Sequence, residues 1–458
     1  MIDFSYLVIL PPLLAIIIAL LTKEVFSSII IAILASHLVL LDFNIQALIP
    51  SIVEHTYGML QKVWILKTLG FALLVGSLMQ IMNASGGVDG FSRWILQSSK
   101  VVRSSRGVMG LAFVVGIVVF IETSIAALVV GTVIRPLARR FSMTKAKVAY
   151  LCDTTSAPIC SIVPFNAWGA LFIGLISAQV SAGLINEEPI KVVAMSVMYN
   201  FYAFVALAVL LFLTISGKDY FTMANSSELY EEEVTENVKS SSAINFLLPL
   251  LLLIFLVFLF LYITGDGNFM KGSGSSSILY AVVTTVLFST IMYKIKNIVS
   301  FKESLEQIVK GAYSMFSITA ILFLAFILSD LSTKLEIGLL LSNLASNVLE
   351  PSLIAAVIFV LSAFLAFATG TSWGTFSIMM PIAVQMAVGS DANLYMAVGA
   401  VMAGGVFGDH CSVISDTSIV SSMAAKCDHV EHVKTQLPYA LFGGFISLIL
   451  YILFGEFI

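Results

Sequence analysis

The sequence predicts an all-α polytopic membrane protein, and two observations carry that prediction. Apolar residues make up 59% of the chain, whereas charged residues make up 11%. A soluble domain needs about 25% charged residues, so this surface must face something other than water. Apolar runs at 4–21, 244–263 and 437–454 are each long enough to cross roughly 30 Å of hydrocarbon as a helix.

Several other classes of protein do not fit the sequence. No phosphate loop of the G-x-x-x-x-G-K-[ST] type is present, which argues against a nucleotide-driven pump, and no basic patch suggests nucleic-acid binding. The start of the chain lacks a basic region and a small-residue cleavage site, so we expect a retained membrane helix there. The four cysteines form no C-x-x-C pair and are expected to be buried free thiols: Cys152, Cys160, Cys411 and Cys427.

One long polar stretch, 217–243, divides the chain into two apolar halves of similar length. Its composition predicts a solvated acidic linker. Its glutamates are Glu228, Glu231, Glu232, Glu233 and Glu236. We therefore predict a first repeat over 1–216 and a second repeat over 244–458.

The two halves show the same order of apolar segments. In the first, helices are predicted at 4–21, 25–42, 61–82 and 190–216, with a hairpin at about 107–140 and a broken helix at about 148–184. In the second, helices are predicted at 244–264, 275–293, 312–332 and 437–456, with a hairpin at about 352–388 and a broken helix at about 394–425.

The interruptions also match in their residues. Phe120-Ile121-Glu122-Thr123-Ser124 corresponds to Phe367-Ala368-Thr369-Gly370-Thr371-Ser372, with one residue inserted. Leu151-Cys152-Asp153-Thr154-Thr155-Ser156 corresponds to Phe407-Gly408-Asp409-His410-Cys411-Ser412. Their shared order in both halves indicates an internal repeat.

The placement of Lys and Arg predicts that the repeats have inverted topology. Loops 83–106 and 294–311 are basic, whereas their counterparts 333–351 and 43–60 are not, and cytoplasmic loops carry the excess of Lys and Arg. The first hairpin is flanked by basic residues at both ends, so it is predicted to be re-entrant from the cytoplasm, and the second from outside. This gives about ten full crossings, two re-entrant hairpins and two broken helices, with both termini outside and a cytoplasmic linker.

Interrupted membrane helices are candidate ligand sites. Unpaired backbone groups in hydrocarbon cost several kcal/mol each, so breaks persist where they face protein or a cavity, and there they supply dipoles for ligands. The alternative for a single break is a plain kink relieved by Ser and Thr bonding back to the helix. Four breaks in matched pairs favour a site.

Four carboxylates lie at these breaks: Glu122, Asp153, Asp409 and Asp416. A carboxylate at the centre of a membrane helix costs roughly 2.5–3.5 kcal/mol, which indicates a function. Asp153 and Asp409 occupy equivalent repeat positions, so we predict that this pair binds Na⁺ or exchanges protons with it. A structural role, accepting N–H bonds from the broken helix, is the alternative for either. Asp330 lies near the end of its segment and is expected at the interface.

Other candidate ligands are mostly hydroxyl groups beside the breaks. They are Thr123, Ser124, Thr154, Thr155, Ser156, Thr369, Thr371, Ser372, Ser412, Ser415 and Thr417. Asn166 is a candidate ligand or helix cap, and His410 can titrate near neutral pH and relay protons. His410 and Cys411 are adjacent, so zinc is not expected. Trp168 and Trp373 are candidates for a substrate pocket or for core packing.

Two further histidines, His429 and His432, stand among charged residues. Lys426, Asp428, Glu431 and Lys434 surround them. This composition predicts a cytoplasmic loop with a structural or pH-sensing role.

These motifs resemble the NhaC family of sodium–proton antiporters. The resemblance rests on Gly408-Asp409-His410-Cys411-Ser412-Val413-Ile414-Ser415-Asp416-Thr417-Ser418-Ile419, Cys152-Asp153-Thr154-Thr155-Ser156-Ala157-Pro158, Thr369-Gly370-Thr371-Ser372-Trp373-Gly374-Thr375 and His432-Val433-Lys434-Thr435-Gln436-Leu437-Pro438-Tyr439-Ala440. It covers about 107–215 and 352 to the end of the chain. Val413 departs from the family, which commonly has proline there.

The resemblance implies a prokaryotic-type transporter of the cytoplasmic (inner) membrane, with paired hairpins and an elevator-like movement. Na⁺ and H⁺ are the implied transported or coupling ions, with no other cofactor. Because the family includes a malate–lactate antiporter and amino-acid carriers, it leaves two readings: Na⁺/H⁺ antiport, or Na⁺- or H⁺-coupled transport of a small carboxylate or amino acid. No enzyme is expected, since no nucleophile–base pair is present. A homodimer follows by analogy with elevator-type relatives.

Overall fold

The structure, a computed structural model, describes residues 7–8, 10–22, 24–98, 102–120, 122–230, 241–269, 272–336 and 350–457. These residues form twenty-one α-helices. In the first half they are α1 (Leu10–Thr22), α2 (Val25–Leu40), α3 (Ile45–Gln61), α4 (Val63–Ala84), α5 (Gly87–Ser98), α6 (Ser105–Val118), α7 (Thr123–Arg140), α8 (Lys145–Thr154), α9 (Ala157–Ile162), α10 (Ala167–Ser181), α11 (Pro189–Val197) and α12 (Phe201–Ser216).

In the second half the helices are α13 (Ile244–Thr264), α14 (Gly274–Ile295), α15 (Phe301–Ser314), α16 (Phe316–Lys334), α17 (Ile354–Thr369), α18 (Ser372–Gly389), α19 (Leu394–Cys411), α20 (Asp416–Ala425) and α21 (His429–Phe457). Short 3₁₀ turns at Phe221–Asn225 and Pro351–Leu353 complete the described secondary structure. The start of the first predicted helix and most of 333–351 lie outside the described residues.

Among the described residues, seven helical segments are long and apolar enough to cross a membrane, or up to ten if each bent pair is counted as one span. The prediction of an all-α polytopic membrane protein is therefore confirmed. The bends are large: α2 and α3 meet at 118°, and α19 and α20 at 52°. The inverted orientation of the repeats, with their re-entrant entry sides, stays a prediction.

Both predicted hairpins form pairs of helices that pack against each other across a short break. Glu122 caps α7, because its carboxylate accepts the Ile125 N–H at 3.0 Å. Gly370 ends α17 with φ +65°, a left-handed conformation that glycine adopts without strain. An added Cβ at Gly370 would also lie 2.5 Å from the Ile414 carbonyl oxygen, so this glycine lets the hairpin tip approach the break between α19 and α20.

The first broken helix has three pieces, where the sequence predicted one interruption. α8 ends at Thr154, α9 covers a turn and a half, and a second break at 163–166 precedes α10. The predicted helix at 190–216 is likewise divided into α11 and α12. Asn200 caps α12 and donates from its amide to the Ser161 hydroxyl at 2.9 Å, so the break before α12 is tied to α9.

Three segments that we predicted as loops are helices instead. They are α3, α5 and α15, within the predicted loops 43–60, 83–106 and 294–311. On α3, exposed apolar residues recur every fourth position at Ile45, Ile49, Val53 and Tyr57. Such amphipathic helices lack a long continuous apolar run, because polar residues such as Gln46, Ser51 and Glu54 interrupt it.

The linker between the halves contacts the helical body over its described part. The Lys145 backbone N–H donates to the Glu228 carbonyl oxygen at 2.9 Å, and Lys147 pairs with Asp219 at 2.7 Å. The Tyr230 hydroxyl donates to the Ala425 carbonyl oxygen at 2.6 Å. Residues 231–240 lie outside the described residues, so the domain boundaries stay a prediction.

The helices pack in two groups that meet at α10. In one group, α4 packs against α14 and α15, and α2 against α16. In the other, α20 packs against α7 and α8, while α19 packs against α17, α18 and α21. The second group therefore brings both hairpins and both broken helices together.

Candidate ion-binding site at the helix breaks

The site is built around the first turns of α20, where two aspartates from different halves of the chain converge. The Ser418 hydroxyl donates to Asp153 Oδ2 at 2.8 Å. The adjacent Thr417 hydroxyl donates to Asp409 Oδ2 at 3.3 Å. Both aspartates are 0% exposed. The breaks at the ends of α8 and α19 therefore place their carboxylates on neighbouring residues of one helix.

Asp153 is surrounded by donors. Besides Ser418, it accepts from the Gln436 amide at 2.7 Å and from the Ser421 hydroxyl at 3.4 Å. The Nε2 atoms of His410 and His432 each lie 3.8 Å from one of its oxygens. A carboxylate with this many donors is well satisfied for a buried charge, so Asp153 is held in one position.

Only one of the two carboxylate oxygens of Asp409 has hydrogen-bond partners. The Ser372 hydroxyl donates to Oδ2 at 2.7 Å, which links the tip of the second hairpin to the broken helix. The other oxygen, Oδ1, is buried and has no hydrogen-bond partner among the described residues. A buried carboxylate oxygen without a donor is costly unless a cation or a proton satisfies it. Asp409 Oδ1 is therefore the candidate ligand atom of this site.

The two remaining predicted carboxylates flank this pair. Asp416 begins α20, is exposed and lies within electrostatic range of Glu122 and Asp153. Its backbone N–H donates to the Gly370 carbonyl oxygen at 3.3 Å. Glu122 caps α7 and also accepts from the Thr123 hydroxyl at 3.1 Å. Four acidic groups thus gather at the breaks, as the sequence predicted, although Glu122 has a structural role as a cap.

Several predicted hydroxyl ligands bond back to their own helices. Thr155 donates to the Leu151 carbonyl oxygen at 2.6 Å, Ser156 to that of Asp153 at 3.0 Å, and Thr369 to that of Leu365 at 2.8 Å. Their protons satisfy the broken backbone, while their oxygens keep a lone pair for a cation. Thr154 is buried in the last turn of α8, and Ser124 lies half-buried in the first turn of α7.

The hydroxyls around the break between α19 and α20 shape its backbone. Ser415 caps α20 by accepting the Ser418 N–H at 3.1 Å and is bonded to the Thr417 hydroxyl at 3.1 Å. Ser412 accepts the Ile414 N–H at 3.3 Å. Thr371 is the N-cap residue of α18, where no side-chain cap forms. Ser415 thereby fixes the first turn of α20, which carries Thr417 and Ser418.

Asn166 caps the N-terminus of α10. The sequence had predicted either a ligand or a helix cap at this position. Its amide donates to the carbonyl oxygens of Phe120 and Cys160 at 3.0 and 2.8 Å, and its oxygen accepts the Gly169 N–H at 2.9 Å. Both ends of the amide are therefore occupied. Asn166 joins the first hairpin tip to the start of α10, and nothing places it on the aspartates.

His410 and His432 both belong to the core of the site. The His410 Nδ1 atom lies 3.1 Å from the Tyr202 hydroxyl. His432, which we predicted in a cytoplasmic surface loop, is 0% exposed on α21. That prediction was wrong because α21 begins at His429 and its first turns pack against α8 and α20, burying the face that carries His432.

Ser418, Ser421 and Gln436 were not predicted as partners of Asp153. Ser418 and Ser421 are three residues apart on α20, and His432 and Gln436 are four apart on α21, so each pair shares one helix face. Polar residues at that spacing next to a break are the signal that would have found them.

The described residues contain no group of three or more His, Cys, Asp and Glu side chains able to hold a metal ion. The donors at Asp409 are instead carboxylate and hydroxyl oxygens, which suit a small hard cation. Trp168 and Trp373 lie near these breaks, with ring centroids 6.3 Å apart, and Trp168 is fully buried. Trp168 thus has the core-packing role.

Convergent broken helices with buried carboxylates define a multi-pass transporter of the cytoplasmic membrane. The chain belongs to the Na⁺/H⁺ antiporter family, whose model matches residues 159–456. It is 35% identical to an uncharacterized protein of Haemophilus influenzae over 99% of this chain and 92% of that protein.

Other similarities are more local or more distant. An uncharacterized Na⁺/H⁺ antiporter of Haemophilus influenzae is 36% identical over 23% of each chain. The malate-2H⁺/Na⁺-lactate antiporter of Bacillus subtilis is 29% identical over 23% of each chain. Among solved structures, the YdaH transporter of Alcanivorax borkumensis has a TM-score of 0.63 at 14% identity, over 91% of this chain and 89% of that one. This likeness shows a shared fold.

Proposed function

We propose that this protein exchanges Na⁺ for protons across the cytoplasmic membrane, and that Asp409 is the carboxylate for which the two ions compete. The observation that carries the proposal is the buried, unpartnered Oδ1 atom of Asp409. Either a cation or a proton satisfies that oxygen, and each excludes the other. Such competition at one carboxylate is what exchange requires.

The surroundings of Asp409 support a small cation. Ser372 and Thr417 place hydroxyl oxygens 2.7 and 3.3 Å from its other carboxylate oxygen. Hydroxyl groups both donate and accept, so these two can turn their lone pairs to a bound Na⁺. Asp416 and Asp153 add negative charge within electrostatic range, which favours any cation at this position.

Asp153 then has a supporting role. Its oxygens are already bonded to Ser418, Ser421 and Gln436, and it stabilises the site through charge and through its hold on α20. The membrane supplies the driving force, since a potential of 100 mV is worth about 2.3 kcal/mol per charge moved. Uphill export of Na⁺ follows if more protons enter than sodium ions leave. No chemical transformation of a substrate is part of the proposal.

The second candidate is Na⁺- or H⁺-coupled transport of a small carboxylate or amino acid. The local similarity to a malate-2H⁺/Na⁺-lactate antiporter favours it. In that reading the hairpin-tip hydroxyls hold the organic carboxylate. However, Thr123 donates to Glu122 and Ser372 to Asp409. Because one hydroxyl at each hairpin tip already donates to a carboxylate of the protein, simple ion exchange is the better supported function.

Reconstituted vesicles containing a pH dye distinguish the two candidates. Na⁺ is added with and without a panel of organic acids and amino acids, at a fixed membrane potential. The proposal predicts a pH change with Na⁺ alone that no solute in the panel enhances. A pH change that occurs only when an organic solute is present would overturn it in favour of coupled transport.

A further inference from the structure

A second cluster of titratable side chains lies in a cavity of about 750 Å³ that is lined by α2, α3, α16 and Lys62, the residue between α3 and α4. His37, His55, Ser51 and Asp330 are among the residues that line it. None of the residues of the ion-binding site lines this cavity. The cluster is therefore a separate feature, and the inference drawn from it is independent of the proposed function.

The four side chains form a continuous hydrogen-bonded chain. The Ser51 hydroxyl lies 3.0 Å from His37 Nδ1, and His37 Nε2 lies 3.4 Å from His55 Nδ1. His55 Nε2 lies 2.9 Å from Asp330 Oδ2. Each ring nitrogen of both histidines thus has a defined partner, and the chain connects α2, α3 and α16.

The partners fix the tautomers of the uncharged chain. Asp330 accepts only, so His55 must carry its proton on Nε2 and present a bare Nδ1. His37 must then donate from Nε2 to that atom, which leaves its own Nδ1 to accept from the Ser51 hydroxyl. Every donor meets an acceptor when both imidazoles are neutral.

One added proton fits the same geometry. If it binds His55 at Nδ1, that atom becomes a donor to His37 Nε2. His37 then moves its single proton to Nδ1 and donates to the Ser51 oxygen, which can accept. The bonds from His37 to His55 and to Ser51 reverse direction, and no bond is lost. The positive charge then lies on the His55 ring, beside Asp330.

A second added proton does not fit. It would set the N–H of one ring against the N–H of the other across the 3.4 Å gap between His37 and His55. It would also add a second positive charge near Lys62 and Lys334, which bond to Asp330 at 2.8 and 3.0 Å.

We propose that Ser51, His37, His55 and Asp330 form a binding site for a single proton, shared by the two histidines. The proposal rests on the hydrogen-bonded geometry, which accommodates one added proton and not two. The other ionisable groups that line the cavity are Glu54 and Tyr57 on α3, Lys62 before α4 and Lys334 on α16. The positive charges of Lys62 and Lys334 balance the negative charges of Asp330 and Glu54. The bound proton therefore changes the net charge of the cavity lining from zero to positive.

Potentiometric titration of the purified protein between about pH 5 and pH 8 tests the stoichiometry. The comparison is between wild type and the double variant His37→Gln, His55→Gln, with Thr56→Ala as the control on α3 outside the cavity lining. The proposal predicts that the double variant takes up one proton fewer than wild type. A deficit of two protons indicates independent histidines, a deficit of zero indicates no proton binding, and either result would overturn it.

Nitrogen-15 NMR of histidine-labelled wild-type protein tests the mechanism without relying on the folding of the double variant. On acidification, the His37 signal should change from the Nε2–H to the Nδ1–H tautomer while the ring stays neutral, and His55 should become doubly protonated. Single variants at each histidine assign the signals. A His37 ring that becomes doubly protonated, or that keeps its tautomer while His55 is protonated, contradicts the shared site.

Discussion

Asp153 and Asp409, one from each half of the chain, accept hydrogen bonds from the adjacent residues Ser418 and Thr417 of a single helix, α20. The two aspartates are therefore linked to each other through α20. An ion that binds Asp409 and displaces Thr417 also displaces the adjacent Ser418, which donates a hydrogen bond to Asp153. The account of ion exchange depends on this arrangement.

Replacement of Asp409 by Asn should abolish Na⁺-dependent proton movement in vesicles while the protein still folds. The amide keeps the shape of the side chain but removes the charge that attracts Na⁺ and the group that binds a proton. Asp391→Asn is the matched control, since Asp391 is exposed with φ +54°, a conformation that Asn also adopts. Full activity in the Asp409 variant would remove this residue from the mechanism.

Replacement of Ser372 by Ala should weaken Na⁺ binding roughly 10–100-fold, because a hydrogen bond to a charged group is worth about 1.5–3 kcal/mol. The effect should appear in the Na⁺ concentration that gives half-maximal transport, and Ser372→Thr should restore much of it. Ser377→Ala is the control on the same helix, since its hydroxyl donates to the Trp373 carbonyl oxygen at 2.9 Å. Equal effects of the two alanine variants would contradict a role for Ser372 at the ion.

Replacement of Gln436 by Leu should lower the transport rate at saturating Na⁺ about tenfold. The amide bridges Asp153 and the His410 carbonyl oxygen at 2.7 and 3.1 Å, so its loss leaves Asp153 less firmly positioned. Gln179→Leu removes a buried glutamine of another region, where the amide donates to Ser329 at 2.6 Å. If this control reduces transport as much as the Gln436 variant, the effect is one of general stability.

Replacement of Gly408 by Ala should destabilise the protein by about 1–3 kcal/mol, the usual cost of overpacking. An added Cβ would lie 2.0 Å from the Ala363 carbonyl oxygen, so α17 and α19 must move apart. At Gly110 on α6 nothing lies within 4 Å of an added Cβ, and Gly110→Ala should be neutral or slightly stabilising. Thermal unfolding in detergent compares the two, and equal midpoints would argue against the close approach of α17 and α19.

The membrane class and the acidic centre of the site were predictable from the sequence. Long apolar runs and few charged residues predict a membrane protein. Carboxylates inside apolar segments indicate the acidic site, because a charged side chain in a bilayer carries a large free-energy cost. The assignment of Asp153 and Asp409 as a central pair rested on their matching positions in the two halves. The structure brings both to α20.

The amphipathic helices and the partners of Asp153 were not predictable in the same way. In α3 and α15 polar residues interrupt the apolar ones, so neither helix contains an apolar run long enough to cross a membrane. His432 and Gln436 stand in a polar segment that resembles a loop, and their burial arises from packing against α8 and α20. Contacts between residues this far apart in the chain follow from the tertiary arrangement and not from local pattern.

The most direct test of the account is whether Na⁺ displaces protons from the purified protein. Na⁺ is added to the protein in weakly buffered detergent solution at a pH where Asp409 is protonated, and released protons are measured with a pH dye. The account predicts that Na⁺ releases protons from the wild type and none from Asp409→Asn. Na⁺ binding without proton release from the wild type, or unchanged release from the variant, would contradict it.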